Sequence, residues 1–399
     1  MTIVDLRRGW CPSLLRPMES GDGWLVRVRP RAAVITAAVA RAVAEGASRY
    51  GNGRIEITNR ANLQVRGLRP ETIDLFVAAM EAVGAADDGP AILVSPLAGA
   101  DPGVAAETVA ISGLVARALV ARAYPSRRPD GVAAPQPVDA RHEAARDDAK
   151  SGLPPKFGFL IDGGGVLPLT GLSLDITLHA VDGNWQLNGE NVQPEDAPSR
   201  AVALAQELAQ APRHVPGRTA APPALGFHPY GDGGEGAVLL APPFGQLQAA
   251  QLAALAALAE RWGDGALRPT PWKSLAIAGV ARGDEAFLRD QAHQISIISD
   301  PADRRLGIVT CVGAPACRRG EVNTQATAAT LATLRRDGEP LLHLSGCAKG
   351  CAHPGRAEVT LVGQEGRFAF IRDGRPSDEP VALGLTLAQC IGLLQSVPA

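Results

Sequence analysis

Hydrophobic and polar residues alternate from Gly23 to Arg29, the two-residue period of a strand. From about Val34 to Tyr50 the apolar positions recur three and four apart, the period of a helix. The same order returns later in the chain, with a strand-like Gly236–Ala241 and a helical stretch from about Leu247 to Trp262. Few β-branched residues interrupt either Ala-rich stretch, which suits a helix. Beyond each helix the sequences align without gaps. Residues 53–68 (GRIEITNRANLQVRGL) and 265–280 (GALRPTPWKSLAIAGV) match at Ile55/Leu267, Thr58/Thr270, Leu63/Leu275, Val65/Ile277 and Gly67/Gly279. Strand, helix and strand at one spacing in both halves predict a duplicated α+β unit.

The remainder of each half also corresponds. Residues 173–190 alternate as a hairpin with its turn at Asp182-Gly183, and residues 357–374 repeat the pattern with a turn at Glu365-Gly366. An Ala-rich helical stretch precedes each, near Val109–Ala123 and near Val322–Arg335. Between them the Pro-, Asp- and Arg-rich residues 124–152 read as a surface excursion, and prolines at 212, 216, 222 and 223 mark a break between the halves. The expected fold is therefore α+β with pseudo-twofold duplication. A small module and a larger one make up each half, at 1–80, 81–210, 211–295 and 296–399.

Composition narrows the function. The chain has 399 residues, 39 Lys and Arg against 41 Asp and Glu, and a net charge of −2. That balance argues against a nucleic-acid partner or a polybasic membrane surface. Apolar residues, 46% of the chain, come in short runs that stay below the ~18 residues of a spanning helix. Met1–Arg8 lacks the basic-then-apolar layout of a signal peptide, so a soluble, cytoplasmic protein with no membrane partner is expected.

Six cysteines are present, and four of them fall close together as Cys311-x5-Cys317 and Cys347-x3-Cys351. In a reducing compartment such pairs indicate metal more often than disulfide. The readings are a zinc site, an iron–sulfur cluster, or buried unrelated thiols. Zinc pairs are usually separated by about two to four residues. The five-residue gap is wide for that, whereas cubane clusters held by four thiolates tolerate varied spacing. Cys317 opens a helical stretch expected over 317–336, which would aim helix-end amides at an anionic cluster. Cys11 and Cys390 have no partner or basic neighbour in a recognisable motif. No G-x-G-x-x-G follows a predicted strand, and Gly163–Gly165 reads as a loop, so electrons must come from a separate donor.

C-x5-C followed by S-G-C-x-x-G-C, here Ser345-Gly346-Cys347-Ala348-Lys349-Gly350-Cys351, resembles the cluster signature of the sulfite and nitrite reductase superfamily. The resemblance extends to Thr58-Asn59-Arg60-Ala61-Asn62-Leu63-Gln64, similar to the family's T-x-R-x-x-x-Q strand. It also takes in Ser95-Pro96-Leu97-Ala98-Gly99-Ala100-Asp101-Pro102 and Leu153-Pro154-Pro155-Lys156-Phe157. It implies two ferredoxin-like half-domains plus two larger reductase-type modules. It further implies a 4Fe–4S cluster on Cys311, Cys317, Cys347 and Cys351, and a second iron centre, either mononuclear non-haem iron or sirohaem.

The pattern also departs from the reductases, which hold their oxyanion with two Arg and two Lys. Arg27 fits the first Arg and Lys156 the first Lys. The second Lys position falls on Gly158, and no Lys or Arg occurs between Pro70 and Ala116 to supply the second Arg. A superfamily branch with this site pruned, which the chain resembles, is that of the precorrin-3B synthases. Its reaction hydroxylates the tetrapyrrole precorrin-3A at C20 with O2 and closes a γ-lactone. The resemblance implies an external donor, an NADH-linked reductase or ferredoxin, and Arg27, Arg29, Arg60, Arg66 and Lys156 as partners of the macrocycle's carboxylates. A sirohaem-dependent sulfite or nitrite reductase is the alternative. Seven histidines are present, of which His343 and His353 flank the second cysteine pair as supporting donors, and spacing assembles no 2-His-1-carboxylate set.

Overall fold

The computed structural model describes residues 11–85, 91–123, 153–154, 156–210, 221–336, 338–353 and 355–395. Met1–Arg8, the excursion at 124–152, and residues 211–220 of the expected break lie outside the described residues, as do His142 and His214.

The described chain forms four five-stranded sheets, two of one kind and two of another. The first is built on the hairpin β1 (Met18–Ser20) and β2 (Gly23–Val28), and on β4 (Arg54–Ile57) and β5 (Leu63–Leu68). Its counterpart is built on β11 (Gly226–Tyr230), β12 (Glu235–Leu240), β14 (Ala266–Pro269) and β15 (Leu275–Ala281). The fifth strand of each comes from the other half. β13 (Gln246–Gln248) pairs antiparallel with β4, Leu247 opposite Ile55, and β3 (Ile35–Thr36) pairs antiparallel with β14, Ile35 opposite Leu267. Each exchanged strand runs straight into a helix, α1 (Ala37–Tyr50) or α5 (Ala249–Trp262), numbering the helices in chain order. Each helix opens with an amide bonded into the opposite half. Ala37 N–H donates to Gly265 at 2.9 Å, and Ala249 N–H to Gly53 at 2.8 Å. Both helices end near glycine, where Gly51 and Gly263 donate back to Ala47 and Ala259.

The aligned repeat therefore has a physical basis. Thr58 N–H donates to Asn62 and Thr270 N–H to Ser274, closing equivalent turns. Gly67 and Gly279 both sit at positive φ, 73° and 71°, beside irregularities in the pairing of β5 with β2 and of β15 with β12. A glycine is needed there because a left-handed backbone strains any residue with a Cβ.

The other two sheets share one topology. β6 (Ala91–Val94), β7 (Gly158–Asp162) and β8 (Ile176–Val181) are parallel, then β9 (Asn184–Leu187) and β10 (Glu190–Val192) return antiparallel. β16 (Ile308–Thr310), β17 (Leu342–Ser345) and β18 (Ala357–Gln364) repeat the parallel run, followed by antiparallel β19 (Arg367–Gly374) and β20 (Ala382–Leu385). Asp182-Gly183 and Glu365-Gly366 are the hairpin turns, all four residues at positive φ as two-residue turns of this kind require. Helix α3 (Thr108–Ala123) occupies the stretch expected over 109–123, and α7 (Thr324–Leu334) part of that over 322–335.

Apolar faces decide the packing. Val26, Ile55, Phe76, Leu252, Leu255 and Ile277 belong to one core drawn from both halves, whereas the other two sheets each have their own. Cys390 is fully buried in the last of these, and burial pushes its thiol up to about 11, consistent with an inert packing residue.

Candidate active site

β16 and β17 lie side by side, with Thr310 opposite Leu344, so the chain leaves both strands at one end of the sheet. Cys311 follows β16 directly, and Cys347 follows β17 by two residues. Ends of parallel strands present loops, and here both loops carry thiols. Gly346 N–H donates to Cys311 Sγ at 3.2 Å. Thr324 Oγ1 and Gln325 Nε2 donate to the Cys311 carbonyl at 2.7 and 2.8 Å, and Ser345 Oγ to the Cys347 carbonyl at 2.7 Å.

The region around Cys317 differs from the helix expected to start there. Cys317 lies in a turn, its N–H donating to Gly313 at 2.8 Å and its carbonyl accepting from Gly320. The helix begins at Thr324, where Asn323 caps Ala326 N–H at 3.1 Å. Gly313 at φ 64° and the closeness of Gly320 to it keep the intervening chain in turns. No helix end is therefore aimed at the thiols from Cys317.

Cys317 and Cys347 lie near enough to Cys311, and Cys311 and Cys347 near enough to Cys351, for their charges to be felt there. Burial raises that of Cys311, partly offset by amides of Gly346 and Gly313, while Cys347 and Cys317 add to the rise. Burial also pushes Cys351 up to about 11, against the pull of Lys349 and Arg66. Cys351 is nonetheless the exposed member of the set. Cys311 and Cys351 so placed stay protonated without a cationic partner, and a metal cluster supplies one. Glycines keep the surroundings close. A Cβ on Gly346 would stand 3.4 Å from Cys311 Sγ, and one on Gly21 would stand within contact of Cys317 Sγ. This all-thiol, glycine-lined donor set fits a 4Fe–4S cluster.

A mononuclear iron fares differently. Among the described residues no three His, Cys, Asp or Glu side chains gather as ligands of a single ion. His343 and His353 stack edge to face at 5.6 Å, His353 bonding the Arg356 carbonyl at 2.9 Å, and His228 bonds the Ala224 carbonyl at 2.8 Å. Among the described residues the donor set for a protein-held second iron is not assembled.

Three of the expected cations, Arg27, Arg29 and Arg60, lie near one another. Arg27 lies on β2, Arg29 just beyond it, and Arg60 in the β4–β5 turn. Arg27 Nε donates to the neutral Gln64 Oε1 at 2.9 Å. Burial lowers the Arg27 guanidinium's pKa; Cys11 beside it opposes the fall, and Arg29 and Arg60 add to it. Cys11 thus has a basic neighbour after all, Arg27, invisible in sequence because it arrives from β2. Arg29 Nε and Nη1 are buried with no hydrogen-bond partner among the described residues. Arg60 Nη2 donates to the Lys156 carbonyl at 2.6 Å, and Lys156 itself is exposed. A Cβ on Gly158 would meet Arg60 Nη1 at 3.4 Å, so the Arg60 guanidinium lies beside a position where the reductases carry Lys.

Arg66, expected among the carboxylate partners, is already paired within the protein. Instead of awaiting a substrate carboxylate, it is bound to Asp22 through Nε at 2.7 Å and Nη2 at 2.6 Å, and to Glu56 at 2.9 Å. These acids raise its pKa, overcoming burial. Its partners are distant in sequence, so strand alternation alone left its orientation open.

Comparison with known proteins locates this architecture. A precorrin-3B synthase from Sinorhizobium sp is 31% identical over 96% of this chain and 86% of its own length. The chain belongs to the precorrin-3B synthase family. Residues 16–83 and 228–290 match the nitrite/sulfite reductase ferredoxin-like half domain, the two exchanged sheets with their helices. A ferredoxin–nitrite reductase of Synechococcus elongatus is 24% identical over 90% of this chain and 80% of its own. The NirA protein of Mycobacterium tuberculosis shares the fold, with a TM-score of 0.62 at 17% identity over 92% of this chain and 79% of that one. Family membership makes the chain an oxidoreductase-type enzyme. The described residues hold no helix long and apolar enough to cross a membrane.

Proposed function

We propose that this protein is an oxygen-dependent precorrin-3B synthase of aerobic cobalamin biosynthesis, acting on precorrin-3A at C20 with γ-lactone formation. One oxygen atom of O2 becomes the C20 hydroxyl. The other leaves as water with two protons and two electrons from an NADH-linked reductase or ferredoxin, and the ring-A acetate then closes the lactone. The similarity to a precorrin-3B synthase along nearly the whole chain carries this reading. The cation cluster supports it: among the described residues Arg29 nitrogens are buried without partners, and Arg27 has Gln64 and Cys11 but no carboxylate as partners, which suits a polycarboxylate ligand. Arg27, Arg29, Arg60 and Lys156 would grip the carboxylates and orient C20, and Arg60 beside Gly158 leaves less room for a small-oxyanion site. A 4Fe–4S cluster on Cys311, Cys317, Cys347 and Cys351, when bound, supplies one-electron transfer.

The test is anaerobic incubation with precorrin-3A, then admission of O2 with a reductant. The expected product is one oxygen heavier, and omission of O2 prevents its formation. Tightly bound sirohaem with turnover of nitrite or sulfite, and precorrin-3A left unchanged, would replace this reading with the reductase one.

A further inference from the structure

The first sheet makes a contact with the thiol loops that neither the family resemblance nor the proposed reaction explains. The β1–β2 hairpin turns through Gly21 and Asp22, with Ser20 paired to Gly23. This turn belongs to the amino-terminal half, yet it lies on the Cys317 turn of the carboxyl-terminal half. Arg318 N–H donates to the Gly21 carbonyl at 2.7 Å. The Gly21 Cα is so close to Cys317 Sγ that even a methyl group would collide with the sulfur.

The turn is also held from behind. Asp22, its side chain 1% exposed, receives both arms of the Arg66 guanidinium. Arg66 Nη2 reaches Ser20 Oγ at 3.0 Å as well, so one guanidinium grips both sides of Gly21. Its remaining arm is fixed by Glu56, which accepts from Gln64 Nε2 at 2.6 Å. A bidentate, largely buried pair of this kind fixes geometry as well as charge.

We propose that the Ser20–Gly23 turn, clamped by Arg66 through Asp22, is a cap over Cys317 that protects one corner of the metal centre from solvent, chelators and O2. The proposal rests on the assignment of Cys317 as a cluster ligand. Asp22 and Arg66 are positioning residues, acting through the turn and not on the substrate. A protein that uses O2 beside an oxygen-sensitive centre gains from closing that corner with rigid backbone.

The test compares Asp22→Asn, Gly21→Ala and the control Gly283→Ala, the last at a glycine whose Cβ would meet nothing within 4 Å. Anaerobically purified protein is exposed to an iron chelator and, separately, to air, while the visible absorption is followed. Asp22→Asn and Gly21→Ala are expected to lose iron roughly tenfold or more faster than the parent, the first because the charge-assisted clamp no longer opposes opening and the second because the added methyl pushes the turn off Cys317 Sγ. Gly283→Ala is expected to match the parent. Loss of iron at the parental rate in both cap variants, with normal thermal unfolding, would overturn the proposal. A second measurement separates failure of the cap from failure of the cluster assignment. In metal-free protein the alkylation rate of Cys317, read by peptide mass spectrometry, is expected to rise in both cap variants, and an unchanged rate would overturn the cap. Parent protein without iron or acid-labile sulfide would defeat the cluster assignment, and the alkylation rates would still decide the cap.

Discussion

His343 lies on β17 with 0% exposure, and neither ring nitrogen has a hydrogen-bond partner among the described residues. Burial, with His353 and Lys273 adding to it, pushes the imidazole down to about 3 from an ordinary 6.5. The folded protein therefore keeps this ring neutral while the unfolded chain protonates it below about 6.5. Its contribution is fully present above that pH and is lost progressively as the pH falls towards about 3, at no more than about 1.4 kcal/mol per pH unit. His343→Leu removes two unsatisfied polar atoms, so denaturant unfolding is expected to show equal or greater stability at about pH 5. Its stability should also fall less between about pH 7 and about pH 5 than the parent's. Parallel pH profiles for the two proteins would contradict this account. Sequence spacing made the four cysteines legible as a set, since glycine and proline around closely spaced thiols suit few purposes. It could not reveal that His343 is sealed, because the seal is made by strands on either side.

Among elements, the segment from Ser95 to Asp101 acts as a brace. Ser95 Oγ donates to Asp162 at 2.8 Å and accepts from Gly163 N–H at 2.8 Å, while Asp101 accepts from Gly103 and Val166 at 2.7 and 2.8 Å. These bonds fix the loop after β7, the strand that begins at Gly158 beside Arg60. Gly165 sits there at φ 85°, and a Cβ on it would stand 2.5 Å from Asp101 Oδ2. Gly165→Ala combines backbone strain with overpacking and is expected to cost about 1–3 kcal/mol. The check is a denaturant midpoint, and an unchanged midpoint would show that the loop can yield. The motif was readable as family-like, but its bonding role was not. Helix α7 is readable too, yet periodicity starts it at Cys317 because it cannot see Gly313 and Gly320 turning the chain first.

The whole molecule is two halves that complete each other. Each half lends the other a strand, β3 or β13, and each inserts the first amide of a helix into the other's turn. Helices α1 and α5 share one core, with Arg41 bonded to Glu260 at its surface through both guanidinium nitrogens, at 2.6 and 2.8 Å. That exposed pair contributes little, and the shared apolar surface contributes most. Chains divided between residues 211 and 220 are therefore expected to lack cooperative unfolding when produced separately and to regain it when produced together. Cooperative unfolding of the first half alone, near the parent's midpoint, would show that the exchange is dispensable.

The sequence by itself determined the duplication, the strand and helix order, the hairpin turns and the four-thiol set. These follow from local periodicity, turn chemistry and spacing, which act over a few residues. Tertiary structure alone decided that the halves exchange strands, that Arg66 faces Asp22 and Glu56, that Cys11 meets Arg27, and that Gly21 rests on Cys317. Each of those depends on which distant surfaces bury one another, and no local pattern carries that information.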